Sequence, residues 1–210
     1  IKDKIGNRLF CAVVKANAYG TYLNHRLDIL NEFDIVAVAT VDEGVFIRNL
    51  GYRKQIFVLN QPYEDEIEKI IAYNIIVGIS SYDFADKLGA TNEPIKVHLE
   101  IGTGMGRTGV HPYRIDKYIE NLSSNIIVEG IYTHLSSADI DDTYTLKQLH
   151  SFNVAVEKAK EILGNIKYIH AAASNGIVNY PDSHFNLVRT GIIMYGYAAA
   201  YNTLEKIDIE

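Results

Sequence analysis

Lys15 is the one charged residue in the run Phe10 to Gly20, "FCAVVKANAYG". Phe10 to Val14, with Ala16, read as a buried strand. An ammonium beside such a run is costly unless it is paired, neutralised or put to chemical use. Other chemistry-bearing residues stand at the ends of later apolar runs: Arg107 in "TGMGRTGV", His134 in "THLSSAD", Ser174 in "AAASNG" and Arg189 in "FNLVRTGIIMYGY". Taken singly, each has an ordinary explanation. Lys15 would be a snorkelling or paired lysine, and His134 a hydrogen-bonded core histidine. Arg107 and Arg189 would be surface ion-pair partners, Ser174 a turn cap and Tyr19 a packing residue. "TGMGR" by itself is a glycine-rich turn. Taken together, they could make one site, provided the fold brings them to one place.

The elements that must do so are legible as alternation. Short apolar runs at Phe10–Lys15, Ile35–Thr40, Ile56–Leu59, Ile75–Ile79, Lys96–Ile101, Ile127–His134, Tyr168–Ala173 and Phe185–Arg189 read as strands. Between them, Tyr63–Tyr73, Tyr82–Leu88, Tyr113–Leu122 and Tyr144–Leu163 repeat apolar residues at helical spacing. Eight strands apolar on both faces and separated by helices predict an α/β fold of the (β/α)8 TIM-barrel type, with a doubly wound sheet as the alternative. In a barrel the active site lies at the carboxyl ends of the strands, with phosphate often held after strands 7 and 8. Lys15, Tyr19, Arg107, His134, Ser174, Arg189 and the backbone of Gly191 and Ile192 all fall on that rim.

Composition narrows the partners. The 210 residues are 48% hydrophobic and 22% charged with a net charge of −6, which suits one sizeable core and argues against a nucleic-acid surface. No apolar stretch is long enough for a membrane span and no signal peptide opens the chain, so a cytoplasmic protein is expected. Cys11 is the single cysteine, which fits a reducing compartment. His25, His98, His111, His150, His170 and His184 lack metal-ligand spacing with one another or with Cys11 and receive no role, so no metal is expected. Ile1 is not a start methionine and "IKDKIGNR" reads as the tail of a helix, so the chain is expected to be a piece of a longer one.

"AVVKANAYG" resembles the cofactor-lysine signature of the fold-type III alanine racemases. The resemblance continues through "ATVDEG", "TGMGRTGV", "THLSSAD", "AAASNG" and "FNLVRTGIIMYGY" in the family's order. It implies a barrel, residues 1–200, that binds pyridoxal 5'-phosphate (PLP), with residues 201–210 beginning the connection to a C-terminal β-domain absent from the chain. By the same resemblance Lys15 carries PLP covalently and acts as a base or acid at the substrate's α-carbon. Tyr19, Ser174 and the amides of Gly191 and Ile192 hold the phosphate. Arg189 faces the pyridine nitrogen, His134 supports Arg189, and Arg107 lies near the cofactor's phenolic oxygen and the substrate carboxylate.

Glu100 stands where many members carry a carbamylated lysine, and would offer Arg107 a carboxylate without modification. Gly102 replaces the usual aspartate before "TGMGR", and Thr21 the usual histidine after "YG". The implied activity is interconversion of L- and D-alanine by two bases, the second a tyrosine given across a homodimer interface by the absent domain. The chain alone is therefore expected to be inactive. A serine or broad-specificity racemase of the vancomycin-resistance type and a non-catalytic PLP carrier stand as alternatives. A related basic amino-acid decarboxylase would be expected to place an acid where this chain has Arg189.

Overall fold

The computed structural model describes residues 1–23, 27–198 and 206, and within them the eight predicted strands form one parallel sheet. They are β1 (Leu9–Val13), β2 (Ile35–Val38), β3 (Gln55–Val58), β4 (Ile76–Ile79), β5 (Ile95–Glu100), β6 (Ile126–Tyr132), β7 (Tyr168–His170) and β8 (Leu187–Thr190). The order β7-β6-β5-β4-β3-β2-β1-β8 brings the last strand against the first, so the sheet curls into a barrel rather than staying open. Every residue of β2, β4 and β8 is buried. Strands covered on both faces read as unbroken apolar runs, which is why the sequence shows them.

The β7–β8 seam is closed without a ladder. The Asn186 side chain accepts from Ile169 N (2.7 Å) and donates to the Lys167 carbonyl (2.9 Å), as a strand residue's backbone would. At the upper end Arg189 N donates to the Ala172 carbonyl at 3.0 Å.

The main helices start at side-chain caps. Thr40 and Glu43 form a capping box on α4 (Val41–Asn49), Ser81 caps α6 (Tyr82–Gly89) and Asp141 caps the 22-residue α8 (Asp142–Leu163). Before α4 come α1 (Lys2–Ile5), α2 (Lys15–Tyr19), whose hand is described below, and α3 (Leu27–Leu30). The expected helices Tyr63–Tyr73 and Tyr113–Leu122 are each split. A 3-10 turn, Glu64–Glu66 or Pro112–Arg114, precedes α5 (Ile67–Ala72) or α7 (Ile115–Glu120), and α9 (Ser174–Asn179) follows β7. Among the described residues no helix is long and apolar enough to cross a membrane.

Three expected strand ends shift for local reasons. Ile75 N bonds back to Ile70 O, so β4 begins at Ile76. Phe185 has φ +47°, so β8 begins after it. Lys15 is not the last residue of β1, which stops at Val13; it opens the left-handed turn α2. His25 lies outside the described residues, as does the expected connection 201–210 apart from Lys206, whose ammonium donates to Asn179.

Two glycines make room for the barrel's interior rings. A Cβ on Gly78 would lie 2.3 Å from the Tyr132 hydroxyl, and one on Gly130 would lie 2.6 Å from the His98 ring. The β5–β6 register shifts between Val97 and His98, which sets His98 opposite Gly130. Phe57, His98, Tyr132, Tyr168 and His170 pack there, with ring centroids 4.5 Å apart for Phe57 and His98 and 5.1 Å for Tyr132 and His170.

Candidate active site

A cavity of about 320 Å³ opens at the carboxyl ends of the strands, lined by Lys15, Tyr19, Arg107, His134, Ser174, Arg189, Gly191 and Ile192. The residues singled out on the rim of the sequence therefore meet in one space. Glu100 lies outside the lining, beneath Arg107.

Lys15 enters from the turn after β1. Among the described residues its side chain has no hydrogen-bond or ion-pair partner. Of the fates open to a lysine beside an apolar strand, pairing is thus not the one realised among the described residues. Tyr19 ends the same turn, with its ring 4.9 Å from that of Tyr195. Its hydroxyl lies 2.8 Å from where a Cβ on Gly191 would sit, and Ser174 Oγ lies 3.8 Å from that point. Because residue 191 is glycine, two hydroxyls face a side-chain-free stretch of backbone at the start of the 3-10 turn Ile192–Tyr195. Ser174 Oγ also accepts from Ile193 N at 3.4 Å, which fixes the hydroxyl to that turn. Hydroxyls and first-turn amides of this kind suit an anion.

Arg189, 3% exposed, reaches into the barrel from β8. Its Nη1 donates to His170 Nδ1 (2.8 Å) and the His170 carbonyl (3.0 Å), and its Nη2 to the carbonyls of Thr133 (2.7 Å) and Ala171 (3.1 Å). A guanidinium has five N–H donors, so only Nε–H is left without a partner among the described residues. Because Arg189 donates to His170 Nδ1, the His170 proton sits on Nε2 and points to His98 Nδ1 at 3.0 Å. The His98 proton then sits on Nε2, which is buried with no polar partner among the described residues, against the rings of Phe57 and Tyr168.

Burial, with Arg189 second, pushes His98 down to about 3 and His170 well below the usual imidazole range. Burial, then Arg189, Arg107 and Lys15, pushes His134 down to about 4. All three rings are neutral at pH 7. The expected support of Arg189 by His134 is not what the structure shows. β6 ends at Tyr132, so the Thr133 carbonyl meets the guanidinium while the His134 ring lines the cavity, and the supporting histidine is His170. Metal-ligand spacing does not mark His170 or His98. The signal was a histidine inside a strand buried on both sides. Among the described residues no three His, Cys, Asp or Glu side chains are placed to hold a metal ion.

Arg107 is delivered by the loop after β5. Gly102 N bonds to the Val110 carbonyl (2.9 Å) and Val110 N to the Glu100 carbonyl (2.7 Å), closing the loop at its neck. Gly109 has φ +122° and leaves no room for a Cβ, which would lie 2.3 Å from Gly102 N; a Cβ on Gly102 would itself lie 3.1 Å from the Gly109 carbonyl. The crowded neck accounts for glycine at 102. Glu100 Oε1 accepts from Arg107 Nη2 at 3.1 Å and Oε2 from Thr108 Oγ1 at 2.7 Å, with the carboxylate buried and the guanidinium about half exposed. A carboxylate held on both oxygens orients an arginine whose outer face stays open.

The profile of one protein family, described as "Alanine racemase, N-terminal domain", matches residues 1–199. An amino-acid racemase of Enterococcus faecalis is 34% identical over 210 residues, covering 97% of this chain and 30% of that protein. An alanine racemase of Clostridium tetani is 38% identical over 211 residues, covering 94% and 54%. Among solved structures, an alanine racemase of Clostridium difficile 630 in complex with cycloserine superposes with a TM-score of 0.93 at 28% identity, covering all of this chain and 61% of that one. The chain thus spans 30% to 61% of the length of these relatives.

Proposed function

The chain belongs to the alanine racemase N-terminal domain family, and on that premise we propose that it is the PLP-holding barrel of an amino-acid racemase that interconverts L- and D-alanine. The observation that carries this reading is Arg189, a buried cation with four of its five protons fixed by His170, Thr133 and Ala171 and, among the described residues, one left, in the same cavity as a lysine that has no partner among those residues. A single N–H from a group that cannot give up its proton suits a ring nitrogen that stays unprotonated. The opening ringed by Tyr19, Ser174 and the amides of Gly191 and Ile192 suits a phosphate, and the free amine of Lys15 suits an aldehyde. The residues present fit PLP.

When bound, PLP supplies the electron withdrawal that acidifies the substrate's α-carbon hydrogen. Arg189 would hold the ring nitrogen by hydrogen bonding without giving up its proton, which would moderate that withdrawal and favour return of the proton over side reactions. Lys15 would carry the cofactor, and its amine would take or return the proton on its own face of the substrate's α-carbon. Inversion needs a second acid–base group on the opposite face. Arg107, braced by Glu100, would receive the substrate carboxylate, and His134, whose ring lines the same cavity, is neutral beside three cations and adds no charge there. A cofactor carrier would have no use for an arginine so braced at the cavity mouth. The reading extends to a homodimer and to the cytoplasm, where Cys11, buried with its thiol pushed up to about 12, stays reduced and inert.

A second reading, a racemase of broader amino-acid range, is favoured by the Enterococcus faecalis relative. The test is to give the whole protein PLP with L-alanine or L-serine and follow the D-enantiomer chromatographically. Alanine should approach an even mixture faster than serine; serine inverting faster would favour the broader reading, and no inversion of either with PLP bound contradicts the proposal.

Glu100→Gln keeps the shape but leaves Arg107 without its charge partner. It should lower kcat/KM for alanine roughly 10- to 100-fold, the scale for a group that orients a site residue. An unchanged kcat/KM would show that Glu100 does not hold Arg107 for substrate.

A further inference from the structure

The turn that carries Lys15 has the wrong hand. Ala16, Asn17, Ala18 and Tyr19 have φ of 51°, 53°, 56° and 54°, four consecutive non-glycine residues in the left-handed region. Internal bonds close the turn: Ala18 N to Val14 O (2.8 Å), Gly20 N to Ala16 O (3.0 Å) and Leu23 N to Asn17 Oδ1 (2.9 Å). A right-handed turn would offer comparable bonds without the steric cost that L-residues meet in this region, so something outside the turn must hold it.

We infer that Glu43 is that holder, and through it a positioning residue for the Lys15 amine. Its Oε1 accepts from Ala16 N at 2.6 Å, while its Oε2 accepts from Ala39 N (2.8 Å) and Thr40 N (3.3 Å). One carboxylate therefore ties the first left-handed residue to the end of β2. A capping box at the start of α4 requires only the bond to Thr40 N. The bond to Ala16, 27 residues away in sequence, lies beyond what the cap needs. Charge-assisted bonds from three amides make Glu43 a strong anchor. With it in place, the chain turns so that Lys15 and Tyr19 enter the same cavity. The link to Lys15 chemistry rests on the PLP reading above; the clamp itself does not.

Glu43→Gln separates the two jobs. A carboxamide has one acceptor oxygen, and the rotamer that keeps the bonds to Ala39 and Thr40 turns its NH2 against the Ala16 N–H. In the cofactor-free protein, E43Q should lose hydrogen-exchange protection at Ala16 while Tm stays within about 3 °C, since the cap survives. In the whole protein with PLP, kcat should fall roughly 10- to 100-fold with KM little changed, as expected when a reacting group is misplaced by about an ångström. Adding Ala16→Gly, which removes the steric objection to positive φ, should restore most of that loss. T40V, which breaks the cap and leaves the carboxylate on Ala16, should lower Tm and leave kcat alone.

Wild-type kcat and unchanged Ala16 exchange in E43Q would overturn the inference, and so would a kcat loss that Ala16→Gly does not recover. If the wild-type protein never takes PLP onto Lys15, the functional reading fails, and Ala16 exchange in E43Q still decides whether Glu43 holds the turn.

Discussion

With Lys15 replaced by alanine, the whole protein is expected to invert alanine at least about 1,000-fold more slowly while remaining folded. On the proposed reading two functions would leave with the side chain: the covalent hold on PLP and the proton transfer at the α-carbon, the second alone being worth roughly 100- to 10,000-fold. Stability should hardly change, because Lys15 starts an irregular turn and makes no hydrogen bond or ion pair among the described residues. Its Tm should stay within about 3 °C of wild type. Measured rates and Tm together check this. A variant that keeps even a tenth of the wild-type rate would place the chemistry on another residue.

Acid should unfold the protein far above the pH at which its buried imidazoles titrate. His98 and His170 are neutral and fully enclosed, the first pushed down to about 3 and the second well below its usual range, and His134 is pushed down to about 4. In the unfolded chain each recovers a value near 6.5 and binds a proton as pH falls, while the folded chain cannot. The unfolded state therefore binds more protons between about pH 6.5 and pH 4, and stability falls with pH through that window. At pH 5 each such ring costs about 2 kcal/mol relative to pH 7, which across three rings is comparable to the whole stability of an ordinary domain. Denaturant unfolding of the isolated chain between pH 7.5 and pH 4.5 measures this. A loss of several kcal/mol by pH 5 is expected, and stability flat to within about 1 kcal/mol would show that these rings are not held neutral.

The barrel was legible because strands buried on both faces leave apolar runs that no helix period explains. The strand ends were less so. Val14, Ala39 and Ala171 to Ala173 are small or apolar and extend an apolar run past the end of its strand: Ala39 and Ala173 line the cavity, and Val14, Ala171 and Ala172 are buried. Lys15 was legible as a charge out of place, and Arg107 and Ser174 as polar residues after apolar runs.

The support was not legible. His170 and His98 meet only because β5 and β7 both point a side chain inward, a contact across strands that no spacing in sequence encodes. The left-handed turn has no glycine among Ala16 to Tyr19 to announce it, and its anchor Glu43 lies in another unit. Asn186 closes the β7–β8 seam with a side chain where pattern reasoning looks for backbone.

The central claim is that Lys15 is the residue that takes PLP, and it can be tested on the chain itself. The folded chain is incubated with PLP, reduced with borohydride and digested, and the pyridoxyl-bearing peptide is identified by mass spectrometry. The label should fall on the peptide containing Lys15 at close to one per chain, and Arg189→Gln should weaken its uptake without moving it. Label spread over surface lysines such as Lys87 and Lys160, or no label at all, would contradict the claim.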